Sequence, residues 1–365
     1  MPRYDATGLR RALVVCLAAL PLAAVARAEH QQQTMPLSGA FLQYHNGNLA
    51  GNWKATVASM TALGMSTVVI QYLKLDDAEY IRGERDPTKR ILELADEHNR
   101  SAGPERRMWV FIGLGNVTNW NGGRGKDAEE TQKRVAAARA DCAALAARVK
   151  RLYGEHASFF GWYIPLEGDN CYDPEDARTV SAVHDLYQGI SQDCKRLLDK
   201  PVAMSVFFNT GGGCYDAGQT ARAYTRILAG CNVQYLLLQD GVGERNWDGQ
   251  IKARIGPFFE AFGKVCSSSG IELWGVPECF RFLGKDKSGA AQRVPLADAV
   301  RLHAQLQAIR EFGVKTTVVF EFHAYLDPNP HAPDDDAGYG MRKALYEDYA
   351  RSIADVGPRE GTARR

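Results

Sequence analysis

The sequence carries almost no net charge, because 44 lysines and arginines nearly balance 43 aspartates and glutamates and leave a formal charge of +1. This balance gives no electrostatic reason to expect nucleic acid or an anionic membrane surface as a partner. The chain also lacks a G-x-G-x-x-G run after its first strand-like segment, and its glycine-rich stretch at 209–218 lacks the G-x-x-x-x-G-K-[ST] spacing. Dinucleotide-binding and phosphate-cradling folds therefore lose their main sequence support.

The usual metal-binding spacings are missing as well. No two cysteines are spaced C-x-x-C, and the histidines form no H-E-x-x-H motif. A zinc site or a thioredoxin-type motif is therefore not expected. The run Asp334-Asp335-Asp336 offers clustered oxygens of the kind that calcium takes, but a solvated charge run is the favoured interpretation. We predict neither a metal nor a cofactor.

The longest apolar run, ALVVCLAALPLAAVA, lies at the N-terminus. Two arginines precede it, and Ala26-Arg27-Ala28 ends it with the small-x-small pattern that a signal peptidase reads. Pro21 and the short apolar length argue against a membrane anchor. We predict a signal peptide over 1–28, cleaved after Ala28, and hence a periplasmic or secreted protein with no stable membrane insertion.

Seven cysteines remain once Cys16 is removed with the signal peptide. An exported protein can form disulfides, but an odd number leaves at least one thiol free or paired elsewhere. Cys171 and Cys214 both follow strand-like runs. A bridge between their two loops is therefore a hypothesis to test.

From Gly39 onward, short apolar runs alternate with longer segments of helical periodicity. Each short run is typical of a strand in its length and in its content of β-branched or aromatic residues. The runs are GAFLQY (39–44), STVVIQY (66–72), MWVFIGLG (108–115), FFGWYIPLE (159–167), VAMSVFFN (202–209), VQYLLLQD (233–240), IELWGVPE (271–278) and TTVVFEFH (316–323). Strands that alternate with helices predict βαβ units and a parallel sheet, and eight such units favour one closed barrel over an open doubly wound sheet.

We predict a single α/β domain, a (β/α)8 TIM barrel over 29–356, between the signal peptide and a disordered tail at 357–365. The length of 365 residues would allow two or three domains,, but the sequence shows no second one. Asp176 is expected to begin one helix, and Gly230 and Gly313 are expected to end two others.

Side-chain alternation along the predicted strands brings polar groups to one end of the barrel. In the fourth run, Trp162, Ile164 and Leu166 form an apolar set that should face the helices, which turns Glu167 toward the barrel axis. The same argument turns Glu278 inward at the end of the seventh run.

Seven of the eight strands are predicted to end in an inward hydrogen-bonding or acidic residue. In the eighth run we expect Thr317, Val319, Glu321 and His323 to face the axis, and Val318, Phe320 and Phe322 to face the helices. The carboxyl ends of the strands are where barrel enzymes place their sites, so the tips predict a cleft. The predicted tips are Gln43, Gln71, Glu167, Asn209, Gln239, Glu278 and Glu321.

Two inward carboxylates, Glu167 and Glu278, suggest acid–base chemistry on a glycosidic bond. A retaining glycosidase places a proton donor and a nucleophilic carboxylate about 5–5.5 Å apart, whereas an inverting enzyme leaves a wider gap for water. The amides at the other tips fit the donors and acceptors that sugar hydroxyls need. Glu321 is a rival, either as a third carboxylate that raises its neighbour's proton affinity or as one member of the true pair.

Further residues near the tips are candidates for holding a sugar. Asp240 has the opposite parity to the inward Gln239, but loop geometry at a strand end relaxes parity, so it stays a binding candidate. His323 is expected to line the cleft. Aromatic rings can stack on sugars, although packing beneath loops is the commoner role of any single ring. The aromatic candidates are Tyr44, Tyr72, Trp120, Trp247, Trp274 and Tyr325.

Several ordered motifs resemble those of a known family. The phrases GAFLQY, GWYIPLE, LLLQDGVG, LWGVPECF and FEFHAYLDP are similar to motifs of the bacterial family catalogued as domain of unknown function 4434, from Gly39 to about Tyr349. This resemblance implies a glycosidase-like (β/α)8 barrel and a carbohydrate as the substrate class. It implies no settled reaction.

A broader resemblance is to the clan A retaining glycosidases, whose acid/base ends strand four and whose nucleophile ends strand seven. It implies Glu167 as general acid/base and Glu278 as nucleophile. That clan usually has asparagine just before its strand-four glutamate, where this chain has Leu166. The contact to the sugar 2-hydroxyl would then come from Asn209 or Gln239.

The expected function is an exported glycoside hydrolase that cleaves a polysaccharide with retention. Two alternatives stay open. One is a carbohydrate-binding barrel without catalysis, which Leu166 favours slightly. The other is an accessory protein of exopolysaccharide export that works in a periplasmic assembly.

Overall fold

The structure is a computed structural model that describes residues 36–45, 48–118, 120, 128–210, 212–287, 289–331 and 336–354. The predicted signal peptide at 1–28 and the predicted tail at 357–365 lie outside these ranges, as do Asp334 and Asp335. Within the ranges given, no helix is both long enough and apolar enough to cross a membrane.

Eight parallel strands form one sheet that curves into a barrel. Seven strands lie within the predicted runs and β4 extends one residue beyond its run, to Gly168. The agreement arises because β-branched and aromatic residues pack well on both faces of a buried parallel strand. The strands are β1 (Gly39–Leu42), β2 (Thr67–Ile70), β3 (Trp109–Gly113), β4 (Phe159–Gly168), β5 (Val202–Val206), β6 (Tyr235–Gln239), β7 (Glu272–Val276) and β8 (Val318–Val319).

The strands pair with their neighbours around the ring, and β1 lies between β2 and β8. The last seam, between β7 and β8, consists of two isolated parallel bridges that join Gly275 to Thr317 and Glu278 to Phe320. The predicted α/β class and eight-stranded parallel barrel are thereby confirmed.

A long helix follows each strand and covers the outside of the barrel. The helices are α1 (Trp53–Ala62), α2 (Pro87–Ser101), α3 (Ala128–Tyr153), α4 (Ala177–Leu197), α5 (Ala217–Ile227), α6 (Ile251–Ser269), α7 (Val300–Glu311) and α8 (Asp336–Ala354). Asp86 and Asp176 begin α2 and α4, because each carboxylate accepts two backbone amides of the first turn,. Gly230 and Gly313 follow α5 and α7 with φ of 72° and 79°, a conformation that glycine adopts readily beyond a helix end.

Large buried side chains fill the barrel axis, and their alternation in β4 follows the prediction. Trp162, Ile164 and Leu166 pack in the layer beneath the helices, whereas Tyr163 faces the axis and donates its hydroxyl to Ser205 Oγ at 2.7 Å. The interior layer consists of Phe41, Val69, Phe111, Tyr163, Ala203, Leu237, Trp274, Val276 and Val318.

The predicted alternation is wrong for β8. Val318 packs in the interior layer, and the ring of Phe320 lies 5.7 Å from that of Phe41. Val319 belongs to the outer layer instead. We expected the more apolar set to face the helices, but the axis of a barrel is itself a packed core that takes valine and phenylalanine. Hydrophobicity therefore does not decide the parity of a strand that is apolar on both faces.

Two small sheets lie beyond the carboxyl ends of the barrel strands, and the sequence interpretation missed both. Strands Phe280–Lys285 and Ala291–Pro295 pair as an antiparallel hairpin after β7. Strands Lys74–Leu75, Ala78–Glu79 and Gly115–Asn116 form a three-stranded sheet from the segments after β2 and β3. Both sheets build up the rim at the end of the barrel where the polar tips lie.

Candidate active site

Glu167 lies near the carboxyl end of β4 with its side chain partly exposed. Gln239, at the tip of β6, donates its Nε2 to Oε1 of Glu167 at 2.8 Å, and Gln71 also hydrogen-bonds this carboxylate. The predicted tips of three strands thus meet at one carboxylate. The Oε1 of Gln71 is buried and has no partner among the residues that the structure describes.

The backbone around Glu167 is fixed from outside the barrel. The Tyr187 hydroxyl of α4 donates to the carbonyl of Leu166 at 2.9 Å, and the Tyr224 hydroxyl of α5 donates to that of Asp169 at 3.0 Å. Gly168 makes this close approach feasible, because a Cβ there would lie 2.1 Å from the Tyr224 oxygen,. These bonds hold Glu167 without using a side chain that faces the cleft.

Burial decides the ionisation of Glu167. It raises the pKa of this carboxyl to about 7, although the hydrogen bonds from Gln239 and Gln71 act to lower it,. A carboxyl that holds its proton near neutral pH can serve as a general acid and, after giving the proton up, as a general base.

Glu278 lies just beyond β7 and is 6% exposed. Its Oε2 accepts the amide of Glu244 at 2.8 Å, from the short helix Val242–Arg245 that follows β6. Burial and the negative charge of Asp240 raise the pKa of Glu278, whereas Arg245 lowers it. The main electrostatic partners of Glu278 are thus residues that follow β6.

Asp240 is turned away from the cleft, which corrects the prediction that it contacts a sugar. Its side chain is fully buried. Oδ2 accepts Gln305 Nε2 of α7 at 2.6 Å, and Oδ1 accepts the amides of Val242 at 3.1 Å and Glu278 at 3.3 Å. Asp240 points away from the barrel axis, as expected for the residue that follows the inward Gln239. Its bonds to the amides of Val242 and Glu278 fix the backbone just beyond β6 and β7.

Glu321 caps the short helix Phe322–Tyr325 that follows β8. It is 1% exposed, and its carboxylate accepts the amides of Gln43 at 3.1 Å, His323 at 3.2 Å and Ala324 at 2.6 Å. Burial raises its pKa to about 7 against the effect of these bonds. Three backbone amides occupy most of its acceptor positions. The prediction of Glu321 as a sugar contact or rival catalytic carboxylate is corrected accordingly, because the residue ties β8 to β1.

Gln43 and Tyr72 lie at the same end of the barrel. Gln43 is partly exposed at the tip of β1, and its side chain hydrogen-bonds the phenol of Tyr72. The negative charges of Glu167 and Glu321 both act on this phenol. Tyr72 is therefore one of the aromatic candidates near the carboxylates, and Tyr325 is another, since the charges of Glu321 and Glu244 act on its phenol.

Two predicted sugar-stacking rings lie in the protein core, which corrects both predictions. Trp274 is fully buried in the interior layer, and its Nε1 donates to Glu272 Oε1 at 2.8 Å. Its side chain faces the barrel axis, but it precedes Glu278 by four positions, which is roughly 13 Å along a strand. Tyr44 follows the inward Gln43 and so faces the outer layer, where it is fully buried.

His323 lies behind the cleft at 2% exposure, which corrects the expectation that it lines the cleft. It forms a group with Asp327 and His331 in which candidate ligand atoms lie within 4.8 Å of one another. The two imidazole rings are stacked, with centroids 3.5 Å and planes 9° apart. The lone pair of an imidazole nitrogen lies in the plane of its ring. Because the rings of His323 and His331 are nearly parallel, their lone pairs do not point to one common metal position. Asp327 accepts the Thr56 hydroxyl at 2.5 Å, as in a structural polar cluster.

The remaining polar tip reveals a residue that sequence reasoning missed. Asn209, beyond β5, accepts a hydrogen bond from the guanidinium of Arg245. Arg245 and Glu244 both belong to the segment GVGER, which directly follows the tip of β6. Its position at the carboxyl end of a barrel strand is the signal that could have identified it.

Comparison with known solved structures agrees with this architecture. A provisional α-L-fucosidase from Bacteroides thetaiotaomicron is similar at a TM-score of 0.65 and 17% identity, covering 88% of this chain and 94% of that one. A β-glucuronidase from an uncultured Clostridium species is similar at a TM-score of 0.49 and 10% identity, over 87% and 50% of the chains. A monomeric β-xylosidase from Caulobacter crescentus gives 0.48 and 12%, over 88% and 68%.

A search among curated proteins finds no match. The family profile described as a domain of unknown function, DUF4434, matches residues 37–332. This range contains all eight barrel strands and both glutamates discussed above. The chain therefore belongs to the DUF4434 family, and its fold is a (β/α)8 barrel.

Proposed function

We propose that the protein is an exported glycoside hydrolase that cleaves a polysaccharide by means of Glu167. The observation that carries this proposal is a carboxyl with a pKa of about 7, hydrogen-bonded by Gln71 and Gln239 at the carboxyl end of a parallel barrel. Glycosidases use a carboxylic acid that stays protonated near neutral pH to protonate the leaving oxygen. The glycosidase-like fold supports a carbohydrate as the substrate.

In this proposal Glu167 protonates the glycosidic oxygen and afterwards accepts a proton from water. The two glutamine amides that contact it donate more strongly to a carboxylate than to a neutral acid. They therefore stabilise the charge that develops on Glu167 as the bond breaks.

Glu278 is the partner carboxylate, the nucleophile of a retaining reaction. A nucleophile must be ionised, yet burial and Asp240 raise the pKa of Glu278. Arg245 and the amide of Glu244 act in the opposite direction and stabilise the anion. Glu278 must therefore lose its proton before attack, and its ionisation depends on the charge of Asp240,.

The proposed sugar contacts are the amides that remain accessible. Gln43 and Asn209 are partly exposed, and an amide can both donate to and accept from hydroxyl groups. Leu166 packs beneath the helices at 1% exposure, so position 166 offers nothing to a sugar. The contact to the 2-hydroxyl is accordingly proposed for Asn209 or Gln239.

A carbohydrate-binding barrel without catalysis is the second candidate. The observation that favours it is the raised pKa of Glu278, because a protonated carboxyl is not a nucleophile. This candidate predicts that the protein binds oligosaccharides and releases no reducing ends.

The test is the release of reducing ends from a panel of bacterial exopolysaccharides and plant glycans by the wild type, Glu167→Gln and Glu278→Gln. We expect kcat to fall about 10²–10⁴-fold in Glu167→Gln, the usual contribution of general acid–base catalysis. Glu278→Gln should lose at least as much. Glu272→Gln is the matched control, because it changes the same group at the opposite, exposed end of β7.

Each outcome assigns a role. Full activity of Glu278→Gln would show that this residue is not the nucleophile. The anomeric configuration of the first product, measured by NMR, should be retained; inversion would make the second carboxylate a general base. Binding detected by calorimetry with no reducing ends from any glycan would favour the carbohydrate-binding barrel.

A further inference from the structure

Arg245 lies at the rim of the cleft, next to residues of both proposed roles. Its Nη2 donates to Asn209 Oδ1 and to the carbonyl of Phe208, the latter at 3.2 Å. Its charge also acts on Glu278. The guanidinium is therefore near a proposed sugar contact and near the proposed nucleophile.

The charge of Arg245 has no carboxylate partner in the part of the chain that the structure describes. Both of its hydrogen bonds use Nη2 and neutral oxygens, which leaves the N–H groups of Nη1 and Nε available. Other arginines of this region are paired differently, since Arg293 contacts Glu244 and Arg281 contacts Asp248, each at 2.8 Å.

The guanidinium is nevertheless held in a defined position. Two acceptors fix one nitrogen, and the ring of Trp247 lies 5.7 Å from Cζ, close enough for a cation–π contact. Both two-donor edges of a guanidinium include Nη2, which is already bonded here, but the remaining N–H groups of Nη1 and Nε can each donate a charge-assisted hydrogen bond to a carboxylate,. A neutral sugar hydroxyl can also accept from these N–H groups, but only an anion forms an ion pair with the guanidinium.

The nearby carboxyls do not forbid an anion at this rim. Glu167 has a pKa of about 7, and that of Glu278 is raised as well, so both are partly neutral near neutral pH. Repulsion of an acidic ligand is reduced accordingly. Arg245 offsets the charge that such a ligand brings toward Glu278.

We propose that Arg245 forms a subsite for the carboxylate of an acidic sugar, so that the substrate is a polysaccharide containing uronic acids. This inference rests on the proposed function and deepens it by naming the substrate class. The carboxylate accepts from the N–H groups of Nη1 that remain available, while the sugar hydroxyls contact Asn209 and the glutamines near Glu167.

Paired oligosaccharides that differ only at the carboxyl group test the proposal. Oligomers of mannuronate, galacturonate and glucuronate are compared by calorimetry with the same oligomers after reduction of their carboxyls to alcohols. Glu167→Gln serves as the background, so that turnover does not disturb the measurement. At least one acidic oligomer should bind about tenfold or more tightly than its reduced counterpart, the effect of one charge-assisted pair.

Two arginine variants complete the design. Arg245→Gln should remove the preference by weakening the acidic ligand about tenfold more than the reduced ligand, because only the acidic ligand loses an ion pair. Arg254→Gln is the matched control, because Arg254 also lies 6.0 Å from the ring of Trp247 but is exposed on α6 and bonds Gln250. It should keep the preference in full.

The proposal is overturned if no acidic oligomer binds better than its reduced counterpart, or if the preference survives in Arg245→Gln. A preference for sulfated over carboxylated oligomers would also overturn it. Because the readout is binding, failure of hydrolysis is a separate result: an acidic preference without reducing ends refutes the hydrolase and keeps the subsite. Cleavage of neutral and acidic glycans at equal efficiency refutes the subsite and keeps the hydrolase.

Discussion

The four carboxylates at the mouth of the barrel differ in how many donors surround each of them. Asp240 and Glu321 each accept three hydrogen bonds, most of them from backbone amides, and these bonds explain their structural roles. Glu167 accepts only side-chain amides, and Glu278 accepts one backbone amide. We expect the reactive carboxylates to be those whose oxygens accept few hydrogen bonds from backbone amides.

The pKa of Glu167 predicts a pH-dependent effect on stability. The native pKa of about 7 lies above the ordinary value of 4.5, so the native state holds a proton that the unfolded chain has already lost between these values. Stability therefore falls as pH rises from about 4.5 to 7. Glu167→Gln should stabilise the protein at pH 8 by at most about 3 kcal/mol relative to its effect at pH 4. Urea unfolding at the two pH values measures the difference.

In the proposed hydrolysis, the ionisation of Glu167 also sets the pH above which the rate declines. The acid form of Glu167 is required for protonation of the leaving group, so kcat/KM should decline above about pH 7,. A stability change in Glu167→Gln that is equal at pH 4 and pH 8 would contradict the assignment of the raised pKa. A rate that is still rising at pH 9 would contradict its role as the acid.

Residue positions were predictable where a strand fixed them and unpredictable where a loop did. Alternation along β4 and β6 correctly brought Gln239 to Glu167. Alternation does not tell how far along the barrel axis a side chain lies. Trp274 was therefore expected at the mouth of the barrel, although it lies deeper in the interior. Arg245 reaches Asn209 only through the turn after β6, and a turn of this kind has no periodicity to read.

Among the elements, the loops after β4 and β5 are joined by several hydrogen bonds. The Tyr215 amide donates to the carbonyl of Asn170 at 2.8 Å, and Asn170 Nδ2 donates to the carbonyls of Asn209 and Tyr215. This pairing brings Cys171 and Cys214 together, and their thiols are hydrogen-bonded. Both are partly exposed and not disulfide-bonded in this structure.

We expect Cys171 and Cys214 to form a disulfide under oxidising conditions. Their thiols lose two protons and two electrons to a small disulfide such as oxidised glutathione, which is reduced to two thiols. The bridge should raise the free energy of unfolding by about 2–4 kcal/mol. Intact mass, peptide mapping and urea unfolding of the oxidised and reduced protein measure this.

Cys171→Ser and Cys214→Ser should each abolish the gain in stability. Cys142→Ser is the control, because Cys142 is buried and should not affect the oxidised pair. Alkylation of both thiols in the fully oxidised protein would refute the bridge.

The existence of the barrel strands and the covering helices could be predicted, because each has apolar faces or an apolar stripe. The existence of the hairpin after β7 could not. Its strands Phe280–Lys285 and Ala291–Pro295 are largely exposed, and Leu283 is 58% exposed. No alternation of apolar and polar residues marks such a hairpin, because neither face is fully covered. β8 shows the opposite difficulty, since both of its faces are apolar.

For the whole molecule, the number of strand-like runs was enough to determine the architecture. Eight runs with intervening helices have few ways to bury their apolar faces, and the closed barrel leaves no edge strand. The pairing of β7 with β8, which closes the barrel, was the hardest part to predict. Only two isolated bridges join these strands, and β8 itself has just two residues.

Export is a prediction about the whole chain. When it is expressed in a bacterium with a periplasm, the mature protein should begin at Glu29 and be found in the periplasm or the medium. Replacing Arg10 and Arg11 with glutamate should leave precursor in the cytoplasm, because the basic segment before the apolar run is lost. N-terminal sequencing of each cell fraction checks this. A cytoplasmic protein that retains Met1 would contradict it.

The tyrosine contacts behind Glu167 have a consequence for how the cleft can diversify. Tyr187 and Tyr224 reach the backbone on either side of Glu167 from the helix layer, and Gly168 leaves room for them. The position of the carboxylate is therefore fixed by the scaffold, whereas the proposed ligand contacts Asn209 and Arg245 belong to loops. Substitutions in those loops can change which sugar is recognised while the group proposed to protonate it stays in place.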